Sequence, residues 1–152
     1  MVLDASAVLA LVQDEPGADL VERELGGALL CAVNLAEVVG KLVDADLDPC
    51  QLAPLLRAAG VVVEPLNEHD AELVGALRGA AGGRALSLGD RCCLALALRG
   101  PSGSVLTADR TWAALDLPLT VRLIRCLPWN AAYAPRRAVS GPARRTRWTL
   151  PG

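Results

Sequence analysis

Short apolar segments alternate with longer helical patterns along this chain, and that alternation restricts its fold more than any other feature. Four segments are predicted as strands: MVLD, VVVEPL, GSVLTAD and LTVRLI. A fifth segment, ALLCAV, is short and apolar and is also expected to be extended. The predicted order is β-α-α-α-β-α-α-β-α-β. Strands that alternate with helices predict a parallel sheet with helices on both faces, and therefore an α/β fold.

The helical patterns carry apolar residues at helix spacing, and several end at glycines. One face of NLAEVVGKLVDADL carries Leu35, Val38, Val39, Leu42 and Val43. SLGDRCCLALALRG is almost wholly apolar, so we predict that it forms the most buried helix. The chain has no Phe, which leaves Leu, Val and Ala to fill the core. Its 152 residues suit one ordinary domain.

The composition changes near the end of the chain. From Pro128 onward the sequence reads PWNAAYAPRRAVSGPARRTRWTLPG, which is rich in Pro, Ala and Arg and has no apolar period. A segment of this kind has too little apolar surface to build a core. We therefore predict a folded domain over residues 1–127 and a poorly ordered tail over residues 128–152.

Charge and cysteine content bear on partners and compartment. Residues 1–133 carry ten Lys and Arg against 17 Asp and Glu, so this part of the chain would not bind nucleic acid through charge alone. The five cysteines lack paired C-x-x-C spacing and are expected to be small core residues in a reducing compartment. No apolar run is long enough to span a membrane. We expect a cytoplasmic protein without membrane contact.

Two acidic residues follow strands, and two others stand near helix starts. Asp4 and Asp109 lie at the carboxyl ends of predicted strands, where open α/β sheets place their ligand crevices. Glu37 and Asp90 lie near the starts of NLAEVVGKLV and SLGDRCCLALAL. Four carboxylates in one crevice would repel one another unless a divalent cation joined them. Hard oxygen ligands suit Mg²⁺ or Mn²⁺, so the sequence predicts a metal site that could assist hydrolysis of a phosphodiester.

Each carboxylate also has a purely structural interpretation. Glu37 follows Asn34 by three residues and precedes Lys41 by four, which would make a capping box and a helical ion pair. Asp90 follows Ser87 by three, which is a second capping-box pattern. Asp109 could open a turn, and Asp4 could cap the helix that follows it. The metal-site hypothesis therefore depends on the four residues occurring together.

Four motifs follow one another along the chain: VLDASAVLALV…EPGA, NLAEV, SLGDRCCLALA and VLTADRTW. In this order and spacing they resemble the PIN-domain family, specifically the VapC-like toxins of bacterial toxin–antitoxin pairs, and the resemblance runs from Val2 to about Arg125. The resemblance implies a three-layer α/β/α sandwich with a central, mainly parallel sheet. It also implies a Mg²⁺- or Mn²⁺-dependent endoribonuclease whose acidic quartet is Asp4, Glu37, Asp90 and Asp109. Ser6 matches the family's small hydroxyl residue, and both Ser6 and Thr107 would support the cofactor site.

The same resemblance implies partners: an RNA substrate, a VapB-like antitoxin and a second copy of the chain in a homodimer. The apolar residues Leu20, Val21 and Leu25 are a candidate interface, although core packing would explain them equally well. A haloacid-dehalogenase-type phosphatase would need Asp where this chain has Ser6. The alternative that stays open is a catalytically silent PIN-fold binding module that acts through a protein partner.

Overall fold

Five parallel strands form a single sheet in the computed structural model, which describes residues 1–80 and 82–125. The strands are β1 (Val2–Leu3), β2 (Leu29–Cys31), β3 (Val62–Glu64), β4 (Ser104–Thr107) and β5 (Thr120–Leu123). Their order across the sheet is β3-β2-β1-β4-β5, and every neighbouring pair is parallel. In the central pairs, Leu3 is in register with Leu30 and with Leu106.

Six α-helices and two short 3-10 segments connect the strands. The helices are α1 (Ala5–Val12), α2 (Ala18–Glu24), α3 (Ala32–Asp44), α4 (Leu52–Ala58), α5 (Glu68–Ala76) and α6 (Leu88–Arg99). The 3-10 segments are Leu77–Gly79 and Arg110–Ala114. α6 buries seven consecutive residues from Arg91 to Ala97, as predicted from its almost wholly apolar sequence.

Alternate strand residues face opposite sides of the sheet and build two separate cores. Leu3, Leu30 and Leu106 join the core that contains residues of α1, α2, α3 and α4. Val2, Cys31 and Val105 join the other core, which α5, α6 and Trp112 complete. The sheet therefore lies between two helical layers, which confirms the predicted three-layer α/β/α sandwich with a parallel central sheet.

The predicted element order is wrong between β1 and VVVEPL, where the structure has four helices and one strand instead of three helices. ALLCAV supplies β2 only as far as Cys31, because α3 begins at Ala32 without an intervening loop. Ala32 and Val33, expected to be extended, form the first turn of α3. A short apolar run has the same local pattern in a buried strand and in a buried helix, so this boundary could not be read from the sequence.

Two expectations about individual residues change in the structure. Val21 and Leu25 are 0% and 4% exposed and belong to the core, and the partly buried Leu20 packs against it, so core packing explains all three residues. Cys31, Cys92 and Cys93 are buried as expected, whereas Cys50 is exposed. No helix in the described ranges has the length and apolar character needed to cross a membrane. The predicted tail, residues 128–152, lies outside the described residues, and the domain boundary at Leu127 stays a prediction.

Candidate active site

Asp4 lies at the point in the sheet where the direction of strand addition reverses. From β1 the chain builds the sheet on one side through β2 and β3, and later on the other side through β4 and β5. In open parallel sheets such a switch point leaves a crevice at the carboxyl ends of the two central strands. Asp4 directly follows β1, and Thr107 is the last residue of β4. These two residues therefore lie at the same edge of the sheet.

A set of hydroxyl groups holds the buried carboxylate of Asp4, which is 4% exposed. Its Oδ2 atom accepts hydrogen bonds from Ser6 Oγ at 2.5 Å and Thr107 Oγ1 at 2.9 Å, and a weaker one from Ser6 N at 3.3 Å. Ser6 Oγ in turn accepts from the Ala108 backbone N–H at 2.9 Å. All of these donors act on one oxygen, so Oδ1 receives no hydrogen bond from a described residue. Asp4 also caps α1, as its structural interpretation predicts.

Glu37 reaches the cluster from α3 through a close approach to the first turn of α6. A Cβ atom built on Gly89 would lie 2.5 Å from Glu37 Oε2. One turn earlier on α3, the fully buried Asn34 donates from Nδ2 to the Gly89 carbonyl at 3.2 Å. The predicted capping box of Asn34 and Glu37 is wrong, because α3 starts earlier and its N-cap is Cys31. Asn34 instead joins two helices that lie far apart in the sequence.

Asp90 and Asp109 both act as capping residues. Asp90 Oδ2 accepts from the Ser87 backbone N–H at 2.7 Å, and Ser87 Oγ accepts from the Asp90 N–H at 3.1 Å, which completes the predicted capping box of α6. Asp109 Oδ1 accepts from both the backbone N–H and the hydroxyl of Thr111 at 2.8 Å. The structural interpretations of Asp4, Asp90 and Asp109 thus all hold. In each case, however, the cap uses only one carboxylate oxygen.

Electrostatic interactions connect three of the four predicted acids. Burial raises the pKa of Asp4, and the charge of Asp90 raises it further, against hydrogen bonds from Ser6 and Thr107 that lower it. Loss of water raises the pKa of Glu37, and the charges of Asp4 and Asp90 add to that effect, while Lys41 opposes it. Burial raises the pKa of the Cys93 thiol well above its ordinary value, and the charges of Asp4 and Asp90 are among the further causes. Asp4, Glu37 and Asp90 therefore form an acid cluster, and Lys41 is the one cation among the causes that act on the pKa values of Asp4 and Glu37.

Asp109 is not joined to that cluster through its carboxylate. Its charge is not among the causes that raise the pKa of Asp4 or Glu37. Its backbone N–H donates to Thr107 Oγ1 at 3.0 Å, and that hydroxyl donates to Asp4, so the two residues are linked through one side chain. The structure thus brings three predicted acids into mutual influence and places the fourth beside them, with its Oδ1 directed at Thr111.

The donor set of the acid cluster fits a hard divalent cation in chemistry. It consists of carboxylate oxygens, which Mg²⁺ and Mn²⁺ prefer, and a cation would offset both the burial and the like charges that raise the pKa values of Asp4 and Glu37. Within residues 1–80 and 82–125, no three His, Cys, Asp or Glu side chains are arranged to hold one ion together. A bound ion would therefore require side-chain rotation, for which the oxygens that do not serve as caps are available.

Two residues of this region were not among the predicted site residues. Asn34 had been considered only as a capping residue, although it is fully buried and bonds to Gly89. Gly89 interrupts an apolar helical pattern, and a glycine inside a helix is a recognised sign of a close packing approach. That signal was present in SLGDRCCLALAL but does not identify the group that approaches.

Comparison with known proteins identifies the family to which this fold belongs. A family model described as the PIN domain matches residues 1–117, which is more than half of the chain. The match spans β1 to β4 and includes Asp4, Glu37, Asp90 and Asp109. No curated protein matches the chain. The chain belongs to the PIN-domain family.

Proposed function

We propose that this protein is a Mg²⁺- or Mn²⁺-dependent endoribonuclease and the toxin of a VapBC-type toxin–antitoxin pair. The PIN domain is generally a nuclease fold, and PIN nucleases generally use divalent metal ions. One observation carries the proposal for this chain. Burial raises the pKa of Asp4, which follows β1, and of Glu37 on α3, and the nearby charge of Asp90 on α6 raises both pKa values further. A folded protein gains nothing from such a cluster unless a cation or a proton neutralises it.

Asp4, Glu37 and Asp90 would hold the metal, and the second oxygen of Asp109 is the fourth candidate ligand. When bound, the cation would lower the pKa of an attacking water and stabilise charge on the phosphodiester. The protein's own hydroxyls would have a separate role. Ser6 and Thr107 stabilise the ionised form of Asp4 at Oδ2 and fix the direction of Oδ1. These bonds support the proposal that Ser6 and Thr107 assist the cofactor site.

RNA is the proposed substrate on the resemblance of the four motifs. A polyanion could approach residues 1–133, which carry more Asp and Glu than Lys and Arg, where metal ions supply positive charge. A VapB-like antitoxin, a homodimer and a cytoplasmic location complete the proposal, and they rest on the resemblance of the four motifs. An apolar groove of about 450 Å³ between α1, α3 and α4 supports a protein partner. Leu47, which is 49% exposed, and Leu11 and Leu55 are among its lining residues.

A catalytically silent PIN-fold binding module is the second candidate function. Two observations favour it: Asp4, Asp90 and Asp109 each have a capping role, and no three acids of the described ranges are arranged to hold an ion. In that case the protein would act through a partner at a surface such as the apolar groove. The two candidates differ in whether these carboxylates take up metal.

Isothermal titration with Mn²⁺ and RNA cleavage assays separate the candidates. Asp4→Asn keeps the size of the side chain and an acceptor for Ser6 and Thr107, so we expect it to fold. We expect cleavage to fall by about 100-fold or more, since a charged group at the reacting centre is lost. Asp44→Asn, the same change at an exposed position near the end of α3, is the control and should behave as the parent does. Equal cleavage by Asp4→Asn and the parent, or no carboxylate-dependent Mn²⁺ uptake, would contradict the proposal.

A further inference from the structure

We propose that Gly89 is a positioning residue whose missing side chain provides the space for the Glu37 carboxylate in the acid cluster. The inference deepens the proposed metal-dependent function and rests on it. A Cβ atom on Gly89 would lie 2.5 Å from Glu37 Oε2, well inside van der Waals contact. Its other near neighbour from a different group, Asn34 Nδ2, would lie at an ordinary 3.7 Å. The atom that must move on substitution is therefore the end of the Glu37 side chain.

The backbone of α6 does not itself require glycine at this position. Gly89 lies in the first turn of α6, and it is not one of the glycines with a left-handed backbone conformation. Within a helix, glycine is normally less favourable than alanine because it loses more conformational freedom on folding. Close packing against another group offsets that disadvantage, and the group here is a carboxylate of the proposed site.

Gly40 is a helical glycine that leaves space for no neighbouring side chain. It lies in α3, on the same helix as Glu37, and a Cβ built on it would meet no atom within 4 Å. The same substitution at Gly40 and at Gly89 therefore changes helix propensity in both cases but steric contact only at Gly89. Gly40→Ala is the matched control for Gly89→Ala.

Asn34 fixes the depth at which α3 approaches α6. Its Nδ2 donates to the Gly89 carbonyl at 3.2 Å, and the residue is fully buried. Glu37 follows Asn34 by three residues and so lies on the same face of α3, one turn nearer its carboxyl end. This bond opposes a shift of α3 away from α6, so we expect a methyl group on Gly89 to displace the end of the Glu37 side chain and not the helix.

The test is Mn²⁺ binding and metal-free thermal stability in the full chain. We expect Gly89→Ala to weaken Mn²⁺ binding, measured by isothermal titration, by about tenfold or more, as loss of ligand positioning does at metal sites. Metal-free Gly89→Ala should melt at or above the temperature of the parent, because the helix gains alanine and Glu37 leaves two like charges. Gly40→Ala should bind Mn²⁺ as the parent does and melt about 2 to 4 °C higher.

A double-mutant cycle with Glu37→Gln shows whether Gly89 acts through Glu37. If it does, adding Gly89→Ala to Glu37→Gln should change Mn²⁺ affinity by less than about twofold. The inference would be overturned if the two substitutions were fully additive or if Gly89→Ala left Mn²⁺ affinity unchanged. A large fall in the metal-free melting temperature of Gly89→Ala would also overturn it, because that result would show a packing role for Gly89. No Mn²⁺ binding by the parent would overturn the proposed function and this inference together, whereas tight binding by both parent and Gly89→Ala would overturn the inference alone.

Discussion

Each candidate ligand in this protein has two oxygens, and this lets a capping role and a metal-binding role coexist. Asp4 uses Oδ2 for Ser6 and Thr107, and Asp90 uses Oδ2 for Ser87. Their Oδ1 atoms accept no hydrogen bond from a described residue. The structural interpretation of a single acid therefore does not argue against its functional one. What separates this cluster from ordinary caps is that burial and neighbouring negative charge raise the pKa values of Asp4 and Glu37.

These raised pKa values predict how the stability of the metal-free protein depends on pH. The pKa values of Asp4 and Glu37 are raised in the folded state from ordinary values of 3.8 and 4.5. Between the ordinary and raised values the folded state binds more protons than the unfolded state, so these groups destabilise the fold increasingly as pH rises. Below the ordinary values both states are protonated, and the destabilisation disappears.

We therefore expect metal-free Asp4→Asn to be more stable than the parent at neutral pH. This difference should shrink as the pH falls through the raised pKa towards 3.8, where both forms have a neutral side chain. Thermal denaturation in a chelator over a pH series measures it. A difference that grew as the pH fell would show that the Asp4 carboxylate stabilises the metal-free fold, contrary to the effect of its burial and of the Asp90 charge.

At the scale of elements, the start of α6 combines a cap with the proposed site. Ser87 and Asp90 form a reciprocal capping box, and Gly89 between them admits Glu37. Asn67 and Asp70 form an equivalent box at the start of α5. Asp70 forms a salt bridge with Arg99 of α6, whose Nε lies 2.9 Å from Asp70 Oδ1. The same local motif thus serves helix packing in α5 and the acid cluster in α6.

We expect Ser87→Ala and Asn67→Ala to destabilise the protein by similar amounts, about 1 kcal/mol each, through loss of the N-cap acceptor. Only Ser87→Ala should also weaken Mn²⁺ binding, because it loosens the turn that carries Asp90. Thermal denaturation and titration with Mn²⁺ measure the two effects. If Asn67→Ala weakened metal binding equally, general loss of stability would explain the result, and α6 would have no special role.

At the scale of the whole molecule, the sheet extends beyond the matched part of the chain. The family match ends at Leu117, whereas β5 runs from Thr120 to Leu123 and pairs with all four residues of β4. Arg125 then returns to the α1–α2 loop, where its Nε donates to the Pro16 carbonyl at 2.9 Å and its guanidinium pairs with Glu15. Residues after the family match, up to Arg125, therefore contribute the last strand of the sheet and contacts to the α1–α2 loop.

Two truncated chains test whether the fold needs residues 118–125 and whether the domain ends at Leu127 as predicted. A chain that ends at Leu127 keeps every described contact, so it should match the melting temperature and Mn²⁺ affinity of the full chain. A chain that ends at Leu117 loses β5 and exposes the edge of β4, and we expect it to unfold or aggregate. Circular dichroism melts and Mn²⁺ titration distinguish these outcomes. A stable chain ending at Leu117 would show that β5 is dispensable.

Local patterns in the sequence predicted most of the fold but not all of its boundaries. The alternation of strands and helices and the burial of α6 depend on residues close together in the chain, so they could be predicted. Asn34 was misread because its local spacing to Glu37 fits a capping box, whereas its partner, Gly89, lies 55 residues away. The start of α3 was missed because ALLCAV fits both a strand and a helix.

The sequence by itself determined the parallel α/β architecture and the placement of acids at strand ends and helix starts, because both follow from short-range patterns of apolar and polar residues. Only the tertiary structure decided which acids influence one another. Glu37 joins Asp4 and Asp90 because α3 packs against a glycine of α6, while the Asp109 carboxylate is engaged by Thr111. Distances between helices depend on packing between residues far apart in the chain, and no local pattern specifies them.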